Sequence, residues 1–334
     1  MRTKASANQK ASEVLVPIIE TIKRQAFYFL ASPGNRAISF VATISIFYGN
    51  YVLWCAMWPW LERTFDSPAL MSMCLTTLVG WVTHYGAQLV YLCIYRAKNP
   101  FFEQFKDNDR PWPWEYDREF PKQLRKALIL VGINNFVITP LFSISNYYLG
   151  SMRTKTSYDD IPPFWVILFQ LTFMQFCTDF GFYWGHRVLH HPSIYQKVHK
   201  VHHEFYDTIS IAAEYAHPIE FVISNLAPFS LGTMLLFGRA HLITFLIFLV
   251  FGIITTVGAH SGYSLPFLNF NIYPVSTTSG YHNYHHMKNM GNYGSSYILW
   301  DSIFGTNTQY YKDMVEHSGK GFEGYPTASK EKAN

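Results

Sequence analysis

Charge is scarce in this chain of 334 residues. Only 14% of them are Asp, Glu, Lys or Arg, against roughly 25% in a typical soluble domain, while 49% are hydrophobic and 18% aromatic. Much of the surface is therefore expected to face something other than water. Cysteine is equally sparse. Cys55, Cys74, Cys93 and Cys177 all lie in apolar stretches and form no CxxC pair, so they read as small buried hydrophobes and argue for neither a thiolate metal site nor a disulfide framework. Net charge is +4, but no Lys/Arg block is interleaved with aromatics, and nucleic acid is not an expected partner. A secretory signal is also missing, because the first long apolar run begins near Ala37, too far in and too long for an h-region. Internal repeats and low-complexity segments are absent.

What the chain has in quantity is apolar runs. A membrane-crossing helix needs about 20 predominantly apolar residues. Residues 37–61 and 69–95 contain no charged residue, and the ERTFDSP stretch between them suits a membrane hairpin. Further runs cover 127–152, 161–178, 221–238 and 240–259. Asn134, Asn135 and Pro140 weaken the third of the six, and Asn225 and Pro228 the fifth, so these predict shorter, interfacial or re-entrant helices. The expected fold is all-α: an integral membrane bundle of about four to six membrane-embedded helices under a cytosolic histidine-rich cap. Residues 1–36 form an N-terminal segment, 37–160 the first membrane helices with a connector, 161–310 the catalytic region, and 311–334 a tail. Lys4, Lys10, Lys23, Arg24 and Arg36 precede the first run, which favours a cytosolic N-terminus. The chain finishes Lys330-Glu331-Lys332-Ala333-Asn334, similar to a dilysine retrieval signal of endoplasmic reticulum membrane proteins, which acts from the cytosol.

Histidine carries the chemistry. Of 14 histidines, 12 fall between His186 and His286. They group as His186-x3-His190-His191, His199-x2-His202-His203 and His282-x2-His285-His286, with His217 and His260 between the last two groups. Residues three and four apart share a helix face, so each group can aim two or three imidazoles at one point. The first group follows an apolar run directly, and the third lies beyond the run ending near Ala259. The site is thus expected at the membrane–cytosol boundary, within reach of an apolar substrate in the bilayer.

Imidazole suits Zn, Cu, Fe and Ni, but a structural zinc takes four ligands, usually with cysteine among them. Eight or more histidines exceed one tetrahedral ion and suit two metals. The Glu and Glu-x-x-His pattern of carboxylate-bridged di-iron bundles is absent, so a pair of histidine-bound irons that activates O2 is the most economical account. Spacing leaves open whether His190 or His191 is a ligand. Asp179, Glu204, Glu214 and Glu220 lie near the groups and are candidates to orient the rings, or they serve only as caps and solvated charges. His84 and His241, alone in apolar runs, read as packed side chains, and His317 as an exposed one.

From about Asp179 to Tyr310 the chain resembles the fatty-acid hydroxylase and sterol desaturase superfamily of endoplasmic reticulum enzymes. The words that carry the likeness are DFGFYWGHRVLHH, HKVHHEF, AEYAHPIE, AHSGY, GYHNYHHMKNMGNYGSS and WDSIFGT. HKVHHEF followed by EYAHPIE and HSGY is most similar to the C-4 methylsterol monooxygenase branch. The resemblance implies that His186, His190, His199, His202, His203, His282, His285 and His286 are ligands, and that His260 and His217 join them as ligands. It further implies an O2-dependent oxidoreductase acting on a sterol C–H bond, most simply a 4-methyl group, with electrons from NAD(P)H through cytochrome b5 or a related donor. A sterol desaturase or side-chain oxidase, a fatty-acyl or sphingolipid hydroxylase, and a non-catalytic membrane metal- or lipid-binding protein are the alternatives. Two departures stand out. The family commonly has Glu-Asp where this chain has Thr178-Asp179, and often Asp where it has Asn283.

Overall fold

The computed structural model describes residues 33–108, 110–148, 154–265 and 276–318. The basic N-terminal segment, the Lys330–Lys332 tail and the side chain of His317 fall outside the described part. Among the described residues the elements are helices, and extended pairing is limited to isolated bridges such as Lys106–Tyr263.

The first two runs form α1 (Pro33–Thr64) and α2 (Pro68–Ala97). Between them Ser67 accepts from the Leu70 amide at 3.2 Å, and Pro68 sits at the first helical position, where its missing N–H costs nothing. The third run forms α3 (Phe120–Tyr148), interrupted by a π turn at Asn134–Ile138. The fourth forms α4 (Phe164–Leu189). The fifth is split into a π turn, Phe221–Leu226, and α5 (Ala227–Leu235), while the sixth is α6 (Leu242–Ala259). Both π turns lie just before a proline. Pro140 and Pro228 cannot donate to the carbonyls of Phe136 and Ser224, and widening the turn spares the helix that lost bond.

Three of these helices are long and apolar enough to cross a membrane: Phe40–Thr64, Phe120–Tyr148 and Leu242–Ala259. Only 11% of the most apolar window of the first is buried, and 22% of that of the second, against 56% for α6. The exposed side chains on α1 and α3 include Phe40, Val41, Leu53, Leu128, Ile129 and Val137, a surface for lipid rather than water. α2 and α4 match them in length, at 30 and 26 residues, but carry more Thr, Gln, Gly and His.

At the centre lies α6. Its Leu242, Ile243, Leu246 and Phe248 pack on Trp54, Trp58 and Leu61 of α1 and on Ile167, Leu171 and Met174 of α4. His241 caps it, accepting from the Ile243 amide at 3.1 Å, while its Nε2 donates to Ser157 O at 3.0 Å; it is structural, as its isolation in sequence suggests. α5 lies almost backbone to backbone against α4. A Cβ on Gly232 would stand 2.5 Å from Met174 Cα, and one on Gly185 would stand 3.1 Å from Ile223 O. Small residues permit this approach, which brings the second π turn against the end of α4, where the first histidines sit. The cap is completed by the short 3-10 segment His199–Glu204, by α7 (Ser279–Lys288), by α8 (Leu299–Phe304) and by α9 (Thr308–Ser318).

Candidate metal centre

Nine histidines converge in two adjoining groups. His186, His190, His199, His203 and His285 place one ring nitrogen each within 4.8 Å of one another, and so do His202, His260, His282 and His286. In the first group the Nε2–Nε2 distances are 3.1 Å for His190–His285, 2.9 Å for His190–His199, 3.0 Å for His199–His203 and 3.2 Å for His203–His285. In the second they are 3.4 Å for His202–His260, 2.8 Å for His260–His282 and 3.2 Å for His282–His286. Each HxxHH box is shared. Its first and fifth residues go to one group and its fourth to the other, so the second and third boxes bind the two groups together.

The far side of the rings shows what those nitrogens are. His186 Nδ1 faces Tyr293 O at 3.0 Å, His285 Nδ1 faces Gly291 O at 2.6 Å, and His202 Nδ1 faces Tyr215 O at 3.1 Å. Likewise His260 Nδ1 faces Thr256 O at 2.9 Å, and His286 Nδ1 faces Phe205 O at 3.1 Å. A carbonyl only accepts, so each Nδ1 carries the proton and each Nε2 presents a bare lone pair. His199 Nδ1 donates to Glu220 Oε1 at 2.7 Å with the same result. Bare lone pairs about 3 Å apart repel unless a cation lies between them. A metal–imidazole bond of about 2.1 Å itself sets neighbouring nitrogens about 3 Å apart, so the donor set fits a metal in each group. Burial, reinforced by neighbouring rings, holds His199, His203, His285 and His286 well below the usual imidazole range, and burial lowers His202 to about 4. They are neutral at physiological pH, as ligation requires.

His191 and His217 stand outside both groups. Each precedes a proline, which favours an extended backbone, and each caps the following turn instead, accepting from the Ser193 and Ile219 amides. His190 keeps the helical geometry of α4 at its C-cap and joins His186.

Of the four acidic candidates, only Glu220 touches a grouped histidine. Asp179 accepts from the Ser296 and Tyr297 amides at 2.7 and 3.1 Å. Glu204 pairs with Lys126 at 2.6 Å and accepts from the Tyr215 hydroxyl. Glu214 takes Asn135 Nδ2 and lies 3.1 Å from His84 Nδ1, so buried His84 is partnered by a half-buried carboxylate and belongs to neither histidine group. Asn283 accepts from Thr208 N and Oγ1, both at 3.2 Å; it pins the chain after the second box rather than facing a metal.

Sequence reasoning passed over Asp301, although it lies in the WDSIFGT word. Buried in α8, it accepts from the Tyr293 and Gly294 amides at 2.8 and 2.7 Å, from Thr306 Oγ1 at 2.6 Å and from Tyr281 at 3.0 Å. It thereby fixes the loop whose carbonyls at Gly291 and Tyr293 orient His285 and His186. The signal that could have found it is the lone carboxylate of WDSIFGT, which follows the glycines of GNYGSS within a few residues.

Three cavities meet beside the groups. One of about 30 Å³ touches His186, His199, His202, His260 and His282. It shares Phe182, Ser224, Asn225, Thr256 and Ser295 with a second of about 110 Å³. A third, of about 310 Å³, runs between α1, α4 and α6 past Phe40, Phe47, Leu168, Leu171 and Phe251, and reaches Ala259 and Ser295. An apolar molecule lying among the membrane helices would have its end at the histidines.

The family model for fatty acid hydroxylase matches residues 171–306. A methylsterol monooxygenase 1 of Danio rerio is 34% identical over 65% of this chain and 72% of its own length. The C-4 methylsterol oxidase erg25 of Schizosaccharomyces pombe is 26% identical over 82% of this chain and 89% of its own. A very-long-chain aldehyde decarbonylase GL1-8 of Oryza sativa subsp. indica is 39% identical over 58% of this chain and 72% of its own. No solved structure matches.

Proposed function

The chain belongs to the fatty acid hydroxylase family, and from that premise we propose that it is a membrane-embedded monooxygenase that oxidises the C-4 methyl group of a sterol at two irons. The single observation that carries the metal reading is the convergence of bare Nε2 atoms on two adjoining points. Iron, rather than another imidazole-seeking metal, follows from the family's oxygen-dependent chemistry. The irons, when bound, supply the activation of O2 and the oxidation of the C–H bond.

The protein's own residues have four tasks in this account. The five histidines of one group and the four of the other hold the metals. Glu220 and the carbonyls of Tyr215, Thr256, Phe205, Gly291 and Tyr293 keep the Nδ1 protons in place and the rings aimed. The apolar cavity between α1, α4 and α6 takes the hydrocarbon skeleton, and the polar wall of buried Ser224 with half-buried Asn225 and Thr256 limits the entry of bulk water. Electrons from NAD(P)H, through a cytochrome b5-type donor, and residence in the endoplasmic reticulum membrane with both termini cytosolic complete the reading.

A sterol is preferred because the two sterol-oxidising relatives include the one matched over 82% of this chain. Decarbonylation of a very-long-chain aldehyde is the second reading, favoured by the 39% identity over 195 residues. The test is purified, iron-loaded protein given a 4-methyl sterol, O2 and a chemical reductant. Two irons per chain and a 4-hydroxymethyl product are expected. Less than one iron per chain, without O2 uptake, overturns the proposal.

A further inference from the structure

Two polar atoms beside the histidines have no partner. Ser224 Oγ and Glu220 Oε2 belong to residues only 4% and 3% exposed, and neither atom makes a hydrogen bond. Buried polar groups are nearly always paired, so each of these atoms is fitted for a ligand. Both residues line the 30 Å³ cavity against His186, His202, His260 and His282. Glu220 ends the turn Pro218–Glu220, and Ser224 follows four residues on, in the π turn that Pro228 imposes. π turns of this kind recur at functional sites because they re-aim side chains.

The two atoms differ in what they offer. The serine hydroxyl can donate. Glu220 uses Oε1 for His199, and its Oε2 can accept. A donor and an acceptor on the wall of one cavity match an alcohol, which takes one hydrogen bond and gives one. A ketone or ether satisfies only the serine, and a hydrocarbon satisfies neither. A sterol carries its hydroxyl on C-3, the carbon next to C-4, so a group holding that hydroxyl must stand beside the oxidising centre, as these residues do.

We propose that Ser224 and Glu220 form a hydroxyl-reading subsite that binds the C-3 alcohol and so places the C-4 methyl group at the metal groups. The inference rests on the sterol reading above and makes the pair its specificity determinant. The metals oxidise, while the pair selects and positions an alcohol-bearing substrate.

The experiment measures equilibrium binding to the full chain in detergent, by displacement of a radiolabelled 4,4-dimethyl sterol. The competitors are the unlabelled sterol and its 3-deoxy counterpart. Wild-type protein is expected to bind the alcohol about tenfold more tightly than the deoxy compound. Ser224→Ala should shrink that preference to about twofold or less at unchanged iron content, and Ser224→Thr, which keeps a hydroxyl, should restore it. Equal affinities in the wild type, or a full preference in Ser224→Ala, overturn the subsite and leave the sterol reading standing. Should Ser224→Ala not fold, the wild-type comparison decides alone. Binding of neither sterol overturns the sterol reading itself, and the subsite with it.

Discussion

Replacing Glu220 with Ala separates the two metal groups. Glu220 Oε1 accepts the Nδ1 proton of His199 at 2.7 Å, and the two side chains are 3% and 1% exposed. Without the carboxylate, that N–H is buried with no acceptor, a loss of about 1–3 kcal/mol. The ring is then free to move its proton to Nε2, which removes the lone pair that faces the metal. Outer partners of this kind typically change metal affinity about 10- to 100-fold. His199 belongs to the five-histidine group only, so the effect should stop at one ion. Iron-loaded protein is titrated with a chelator, and iron per chain is read by mass spectrometry. Glu220→Ala should give a two-step curve, with one iron released at about 10- to 100-fold lower chelator and the other as in wild type. Glu220→Gln keeps an acceptor oxygen and should fall between the two. A Glu220→Ala curve superimposable on wild type would refute the reasoning.

Other perturbations probe other parts of the account. His285→Ala deletes a member of the same five-histidine group and should lower oxidation by more than the roughly 100-fold typical of an outer partner, with one iron lost; product formation and metal analysis check it. His84→Ala should leave both irons in place but lower the melting temperature, because Glu214 loses a buried partner 3.1 Å away; iron loss in this variant would contradict the assignment. Gly232→Ala would put a methyl group 2.5 Å from Met174 Cα and should destabilise the α4–α5 pair by about 1–3 kcal/mol, seen as a lower melting temperature. Burial raises the Asp107 carboxyl to about 6, partly offset by the Ser264 and Ser279 hydroxyls. Its folded pKa exceeds its unfolded one, so its contribution to stability is complete below about pH 4 and is lost as pH rises through 6. Two units at 1.36 kcal/mol each come to about 3 kcal/mol. Asp107→Asn should remove that part of the fall in melting temperature between pH 4 and 7, and an unchanged pH profile would count against it.

The membrane character and the histidine-rich cap are legible in the sequence because both depend on composition and short spacing. Six apolar runs are apparent by inspection, but burial differs among them, and among the described residues three become helices long and apolar enough to cross a membrane. The fifth run, broken by the π turn before Pro228, shows why: a proline marks the interruption without showing how the backbone absorbs it. The histidine boxes are equally plain, whereas the partition of each HxxHH between two groups depends on how a 3-10 segment faces α7 across 80 residues of chain. His191 and His217 illustrate a local rule overlooked, since the proline after each one turns it into a cap. Glu204 and Glu214 lie close to the boxes in sequence but are taken up by Lys126, Tyr215, Asn135 and His84. The carbonyls that orient five of the rings carry no residue identity at all, and no reading of side chains would have found them.

The most direct measurement is the sterol profile of cells that lack C-4 demethylation and express this chain, read by mass spectrometry. The account predicts that accumulated 4,4-dimethyl sterols disappear with the wild-type chain and persist with His285→Ala. Persistence of those sterols in cells that contain the wild-type, iron-loaded protein would contradict it.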